Sequence, residues 1–93
     1  MPQFVTIHRA PGLQQEEFIQ NAPAVYEGTY ATFVQSFVNL GAGFIVSIYE
    51  ADNADALEEE FERLGFPVDE MHEIQFAQTR DALGAMLKQM GKI

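Results

Sequence analysis

GFIVSIYEA, residues 43–51, decides the fold of this chain. Successive side chains of a β-strand point to opposite faces of a sheet. Phe44, Val46 and Ile48 then lie on one face, and Ile45, Ser47 and Tyr49 lie on the other, so that Ser47 alone interrupts two apolar faces. A strand that is apolar on both sides needs cover on both sides. We therefore expect helices of the same chain on one face and another element on the other.

The composition fits one small globular domain. The chain has 93 residues, of which 47% are hydrophobic and 20% charged, and no cysteine. The lack of cysteine excludes disulfides, zinc–thiolate sites and cysteine nucleophiles, and it is compatible with the cytoplasmic location that we expect. A formal charge of -9 disfavours nucleic acid and anionic membranes as partners. We see no export segment and no apolar run long enough to span a membrane.

The first half of the chain predicts two strands around a helix. Residues 3–10 alternate as a strand, and an apolar stripe predicts a helix over 13–27. Pro23 lacks a backbone N–H and is expected to kink or divide this helix. Residues 31–40 form the second strand, and the turn at 41–43 joins it to the strand at 43–51 as an antiparallel hairpin.

The second half predicts a helix, a strand and a last helix. Asp52 or Asn53 caps the helix, and Gly65 ends it. Residues 68–77 read as the fourth strand. Thr79 then caps a helix whose apolar residues share one side: Ala82, Leu83, Met86, Leu87 and Met90.

The order βαββαβ followed by a helix predicts an α+β, ferredoxin-like fold with an antiparallel sheet of order 4-1-3-2. We place the ferredoxin-like domain at residues 1–78 and the C-terminal helix at 79–93. This helix covers its own sheet, a partner's sheet or another subunit edge; the sequence does not decide between them.

The two faces of the sheet differ in their polar content. We expect the helices to cover Val5, Ile7, Val34, Val38, Phe44, Val46, Ile48, Ile74 and Phe76. The open face then carries Phe4, Thr6, His8, Phe33, Gln35, Phe37, Ile45, Ser47, Tyr49, Met71, Glu73 and Gln75. Such a mixture of aromatic and polar groups is typical of a ligand pocket formed when two sheets stack, which predicts a homodimeric α+β barrel.

The candidate chemistry centres on His8, because imidazole binds metals and transfers protons near neutral pH. In the expected register His8 faces Glu73, and a slip of one residue places it opposite His72. These three residues are the candidate ligands for nickel or zinc. His8 is also the candidate catalytic base, although a hydrogen-bonded structural histidine is the simpler interpretation.

Four further side chains on the expected open face are candidates for holding a small polar ligand: Thr6, Gln35, Ser47 and Tyr49. Ser47 has no GxSxG motif around it, so we expect a hydrogen-bonded hydroxyl there rather than a nucleophile. Dinucleotide, phosphate-loop, EF-hand and HExxH motifs do not occur.

Residues 43–74 together with the opening QFVTIHRAPGL resemble a domain-of-unknown-function family of small ferredoxin-like proteins, some of them described as nickel-binding. The resemblance rests on Tyr49-Glu50-Ala51, on the capped acidic helix and on GFPVD at 65–69. It implies the fold and a paired-sheet dimer. For nickel it keeps His8, but this chain has Thr6, Ser47 and Phe61 where nickel-binding members have an aspartate, a cysteine and a histidine.

The sequence thus predicts a small cytoplasmic homodimer that binds a small molecule between paired sheets, with no reaction assigned. One alternative is an enzyme of the cofactorless oxygenase or isomerase kind, with His8 as base and Gln35, Ser47 or Tyr49 positioning a substrate oxygen. The other is weak binding of nickel or zinc. An interaction module whose open face is filled by side chains is a further possibility.

Overall fold

The computed structural model describes residues 1–93 and shows four antiparallel strands in one sheet with three helices. The strand order β2-β3-β1-β4 is the predicted order 4-1-3-2, and it confirms the ferredoxin-like α+β fold. The elements are β1 (Gln3–Arg9), α1 (Gln15–Glu27), β2 (Thr32–Asn39), β3 (Phe44–Glu50), α2 (Ala54–Leu64), β4 (Glu70–Glu73) and α3 (Arg80–Gln89).

The central strands β1 and β3 pair antiparallel along their whole length. At one end the Ala10 N–H donates to the Gly43 carbonyl over 2.6 Å. Gly43 has a φ of 65°, and a Cβ at this position would lie 2.6 Å from the Ala10 carbonyl oxygen. Only glycine satisfies both the backbone angle and the close approach, so the turn that begins β3 is fixed by this residue.

The helices cover the face that we predicted to be open. Phe4, Thr6, His8, Ser47 and Tyr49 are all buried on the side of α2. Strand pairing places the other predicted open-face residues Phe33, Ile45, Met71 and Glu73 on the same side. The real open face consists of side chains that were predicted to be covered, together with Gln35 and Phe37: Val5, Ile7, Gln35, Phe37, Phe44, Val46 and Ile48.

The predicted covered and open faces of the sheet are exchanged for a simple physical reason. Both faces of β1 and β3 carry large apolar side chains, so alternation shows that there are two faces but not which one a helix covers. Packing with α2 decides it, because Leu57 and Phe61 are fully buried against the aromatic face. The resulting core comprises Phe4, Ala31, Tyr49, Ala51, Leu57 and Phe61.

A β-bulge in β2 changes which residues share a face. Phe33 lies opposite Tyr49, but the next paired residue is Gln35, opposite Ile48. An inserted residue shifts the alternation by one. Gln35 and Phe37 therefore do lie on the open face as predicted, whereas Ser36 lies opposite Ser47 on the covered face.

Strand β4 is shorter than the predicted 68–77. It spans Glu70–Glu73, with single backbone hydrogen bonds extending it at each end: Asp69 N–H to the Ile7 carbonyl and Ile74 N–H to the Gln3 carbonyl, both 2.8 Å. The end of β1 limits this pairing, so Gln75 lies beyond the sheet.

Helix α1 continues through Pro23, which neither ends nor divides it. A proline in a helix leaves the carbonyl four residues earlier without its usual donor, here that of Ile19. No residue of α1 is buried, and Ile19 is exposed, so water can reach that carbonyl. The predicted caps of the other two helices are confirmed: Asn53 accepts from Ala56 N–H at 2.8 Å and Thr79 from Ala82 N–H at 3.1 Å.

A buried carboxylate joins the end of α1 to α2. Glu60 is fully buried and accepts from the N–H groups of Thr29 and Tyr30 at 3.1 and 2.9 Å. Arg63 donates to the Glu60 carboxylate at 2.7 Å and to the carbonyl of Ala24, in the last turn of α1, at 3.1 Å. Burial alone would raise the pKa of Glu60, but the hydrogen bonds from Arg63, Tyr30 and Thr29 lower it below 4.5.

No residue of helix α3 is buried, and Phe37 on the open face of the sheet remains 59% exposed. The radius of gyration is 15.9 Å, compared with about 12 Å for a compact chain of this length. α3 therefore does not cover its own sheet. The predicted pairing of two chains into a barrel stays a prediction. No helix combines the length and apolar character that a membrane crossing demands.

We expect Glu60→Gln to lower the free energy of unfolding by about 1–2 kcal/mol, since a neutral amide loses the charged hydrogen bonds while Arg63 is partly exposed. Urea unfolding at pH 7 measures the loss. Glu59→Gln removes a neighbouring exposed carboxylate and serves as the matched control. Equal stabilities of the two variants would show that the buried carboxylate does not hold α1.

The loss of stability in Glu60→Gln should also depend on pH. The folded pKa of Glu60 lies below its unfolded value of 4.5, so its contribution is present above that value and is lost as the pH falls through the folded pKa. We therefore expect the stability difference between the parent chain and Glu60→Gln to be constant from pH 6 to 8, and to shrink below about pH 4.5. Urea unfolding at a series of pH values tests this, and a difference that grows on acidification would contradict it.

Candidate functional site

A cleft of about 660 Å³ lies between α1 and the covered face of the sheet. The sheet forms its floor with Phe33, Ser36, Ile45, Ser47 and Tyr49, and His8 lies at one side. This volume is within the range of roughly 300–1,000 Å³ that is usual for small-molecule sites. The cleft exists because α1 stands away from the sheet instead of burying its residues on it.

The roof and one wall of the cleft come from residues that we did not predict as site residues. α1 and the residue Leu13 before it contribute mainly apolar side chains and one amide, and the end of α2 with the segment after it adds an apolar wall: Leu13, Phe18, Asn21, Ala22, Val25 and Tyr26, then Leu64, Phe66 and Pro67. The apolar stripe of α1 was visible in the sequence as a packing signal. The sequence did not show that this stripe faces a space.

His8 is held on both sides of its ring. Nδ1 lies 2.9 Å from the Pro67 carbonyl oxygen, which can only accept, so Nδ1 carries the hydrogen. In the neutral ring Nε2 then accepts from the Thr6 hydroxyl, also 2.9 Å away. The Phe61 ring packs edge-on against the imidazole at a centroid distance of 4.8 Å. This is the structural histidine that the simpler interpretation predicts, with no free ring nitrogen for proton transfer.

Ser47 and Tyr49 differ from His8 because their hydroxyls have no protein partner. Only 4% of Ser47 and 3% of Tyr49 is exposed, and both line the cleft. Every fully buried side-chain nitrogen and oxygen in the structure is hydrogen-bonded. The two hydroxyls therefore reach solvent through the cleft, at the bottom of an apolar space.

The environment of Tyr49 keeps its phenol neutral. Burial, together with the nearby Glu60 carboxylate, raises the pKa of Tyr49 to about 12, while Arg63 acts weakly in the opposite direction. At neutral pH the phenol is a hydrogen-bond donor as well as an acceptor. Charged groups do not point freely into this space, since Glu60 and Arg63 bind each other and the Arg9 guanidinium lies over Phe44.

The structure brings together four of the six predicted ligand-binding residues and separates the other two. Thr6, His8, Ser47 and Tyr49 lie near one another on the covered face. Gln35 is on the open face, and Glu73 lies opposite Phe4, four residues before His8 on β1. The predicted pairing of His8 with Glu73, or with His72 after a slip, is wrong, because His72 lies opposite Val5.

The candidate metal ligands His8, Glu73 and His72 do not form a binding set. No group of three histidine, aspartate or glutamate side chains in the structure could hold a metal ion. His8 is buried on the covered face with both nitrogens bonded, whereas His72 is exposed next to Glu70 at 3.3 Å on the open side. Pairing two chains through their open faces would not bring these histidines together, because α2 covers His8. The residues present do not fit nickel or zinc.

Comparisons with known proteins agree with this fold. The crystal structure of SCO4226 from Streptomyces coelicolor A3(2) matches with a TM-score of 0.69 and 26% sequence identity, over 82% of this chain and 99% of that one. A search of curated proteins gave no match. The family model described as nickel responsive protein SCO4226-like matches residues 4–74, which include all four strands except Gln3, the first residue of β1. The chain therefore belongs to the family of SCO4226-like nickel-responsive proteins.

Proposed function

We propose that this protein binds a small, neutral and mainly apolar molecule in the cleft beneath α1, with Ser47 and Tyr49 as its hydrogen-bond partners. One observation carries the proposal: two nearly buried hydroxyls without protein partners face an apolar space of about 660 Å³. A polar group in such a place loses stability unless something hydrogen-bonds to it. A ligand with a carbonyl, ether or hydroxyl oxygen supplies that hydrogen bond.

The charge distribution supports a neutral ligand. A charged group that enters an apolar cleft loses its hydration and needs an opposite charge there. The one charged residue that lines this cleft is Arg9, and its guanidinium lies over Phe44, a residue of the open face. The net charge of -9 also opposes the approach of anions. An oxygen that accepts a hydrogen bond from the neutral Tyr49 phenol is the best match for the floor of the cleft.

This proposal moves the ligand from the space between two paired sheets, where the sequence predicted it, to the space between the sheet and α1. Three of the predicted residues, His8, Ser47 and Tyr49, line this space, because the whole face is turned toward the helices. The enzyme alternative has less support, since its base His8 uses both ring nitrogens within the protein. We propose no reaction and no metal for this site.

A solvatochromic probe tests the binding. Prodan is neutral and apolar, carries a ketone oxygen, and changes its emission with both polarity and hydrogen bonding. We expect saturable binding with a blue shift in emission. Ala22→Phe, which fills the cleft from its roof, should abolish binding. Tyr49→Phe and Ser47→Ala should each weaken it about fivefold, the value of one hydrogen bond of roughly 1 kcal/mol.

The matched control is Phe37→Ala, which removes an aromatic side chain from the open face. This variant should bind the probe like the parent chain. If Phe37→Ala loses the probe while Ala22→Phe keeps it, the probe binds the open face and the proposal fails. Circular dichroism of each variant checks that the fold is intact, so a loss of binding cannot be confused with unfolding.

The neutral phenol gives a separate prediction. We expect Tyr49 to ionise near pH 12 in the folded protein, measured as the difference in absorbance at 295 nm between the parent chain and Tyr49→Phe. The pKa of Tyr49 in the folded protein is raised above the ordinary 10.0. The contribution of the neutral phenol to the free energy of unfolding is therefore present below pH 10 and is lost as the pH rises toward 12. A midpoint near 10 in a chain that is still folded would show that Tyr49 lies in water and would remove it from the site.

A further inference from the structure

Two apolar surfaces of this chain have no cover. One is the open face of the sheet, where Phe37 is 59% exposed and Phe44 is 36% exposed. The other is the apolar stripe of α3, formed by Leu83, Met86, Leu87 and Met90 at helical spacing, with Met86 41% and Met90 61% exposed. Contiguous exposed apolar surface of this kind marks an interaction site.

The two surfaces do not meet within one chain. No residue of α3 is buried, the apolar side chains of both surfaces stay exposed, and the longest dimension of the molecule is 49 Å. Residues 74–79 lead from β4, at the edge of the sheet, to the start of α3. Six extended residues span at most about 20 Å, which lets α3 leave its own sheet and lie on a neighbouring molecule.

The charge of α3 also sets it apart from the rest of the chain. Residues 80–93 contain three basic residues and one acidic residue, a formal charge of +2. The preceding 79 residues contain two basic and thirteen acidic residues, a formal charge of -11. A basic helix is attracted to this acidic domain, whereas the bare domains of two copies repel each other.

The extension lies outside the unit shared with the family. The family match ends at residue 74, before α3 begins at Arg80. α3 is therefore an addition to a sheet and two helices that already form the fold. The open face of another copy would offer this stripe an apolar surface on a domain of opposite formal charge.

We propose that α3 of each chain packs on the open face of a second copy, so that two chains exchange their C-terminal helices reciprocally. Twofold symmetry makes the exchange self-complementary, because each copy offers one helix and one sheet face. The interaction does not depend on the ligand cleft, which lies on the other face of the sheet.

The test is the mass of full-length variants by sedimentation equilibrium over a range of concentrations, with circular dichroism as the check on folding. The parent chain should be a dimer. Met86→Glu, on the α3 stripe, and Phe37→Glu, on the open face, should each raise the dimer dissociation constant at least tenfold. Ala85→Glu carries the same charge change on the opposite side of α3 and should leave the constant unchanged.

Three results would overturn the proposal. A monomeric parent chain at 100 µM, about a hundred times a micromolar dissociation constant, would show that no second copy covers these surfaces. A dimer that survives Met86→Glu but not Phe37→Glu would show sheets stacked directly without α3. A parent chain that is monomeric and whose melting temperature falls with Met86→Glu would show that α3 covers its own sheet.

Discussion

The packing of Phe61 against the sheet is the contact on which the rest of the structure depends. Its ring meets His8 edge-on at 4.8 Å and Tyr49 edge-on at 5.1 Å, and Phe33 extends the cluster by packing against Tyr49 at 5.6 Å. Removal of a buried phenylalanine costs about 3–5 kcal/mol, a large share of the stability of a small domain. By placing α2 on the aromatic face, this one side chain determines which residues are core and which are surface.

The order of elements could be predicted because local signals mark each boundary. Asn53, Gly65 and Thr79 have the capping roles expected from their residue types, and the glycine-rich turn before Phe44 makes the hairpin. Ferredoxin-like topology and the sheet order follow from that sequence of elements. Local signals of this kind do not require knowledge of what packs where.

The identity of the covered face could not be predicted, because it depends on contacts between residues far apart in sequence. Val5, Val46 and Ile48 are as apolar as the residues that are buried, and the polar groups Thr6, His8 and Ser47 suggested exposure. Thr6 and His8 can be buried because their polar atoms are hydrogen-bonded. The Thr6 hydroxyl bonds to His8 Nε2, and His8 Nδ1 donates to the Pro67 carbonyl. The stand-off of α1, and with it the cleft, likewise depends on packing distances that no local pattern contains.

His8 is fully hydrogen-bonded, whereas the hydroxyls of Ser47 and Tyr49 are not, and this difference bears on the nickel in the family's description. The lone pair that a metal would need on His8 Nε2 accepts the Thr6 hydroxyl instead. The polar groups that do remain free, Ser47 and Tyr49, are neutral hydroxyls. Within one fold, the same face of the sheet can thus present different binding groups when two or three of its side chains change.

The attachment of α1 at one end only has a consequence for access to the cleft. Its hydrogen bond to another helix lies in its last turn, where Arg63 reaches the Ala24 carbonyl, and Glu60 anchors the residues just beyond Gly28. The first turn, near Gln15, has no such anchor, and no side chain of the helix is buried. On the side near Leu13 and Phe18 the cleft is therefore bordered by the end of α1 that no side-chain hydrogen bond ties to another helix or strand, and no such bond restricts access there.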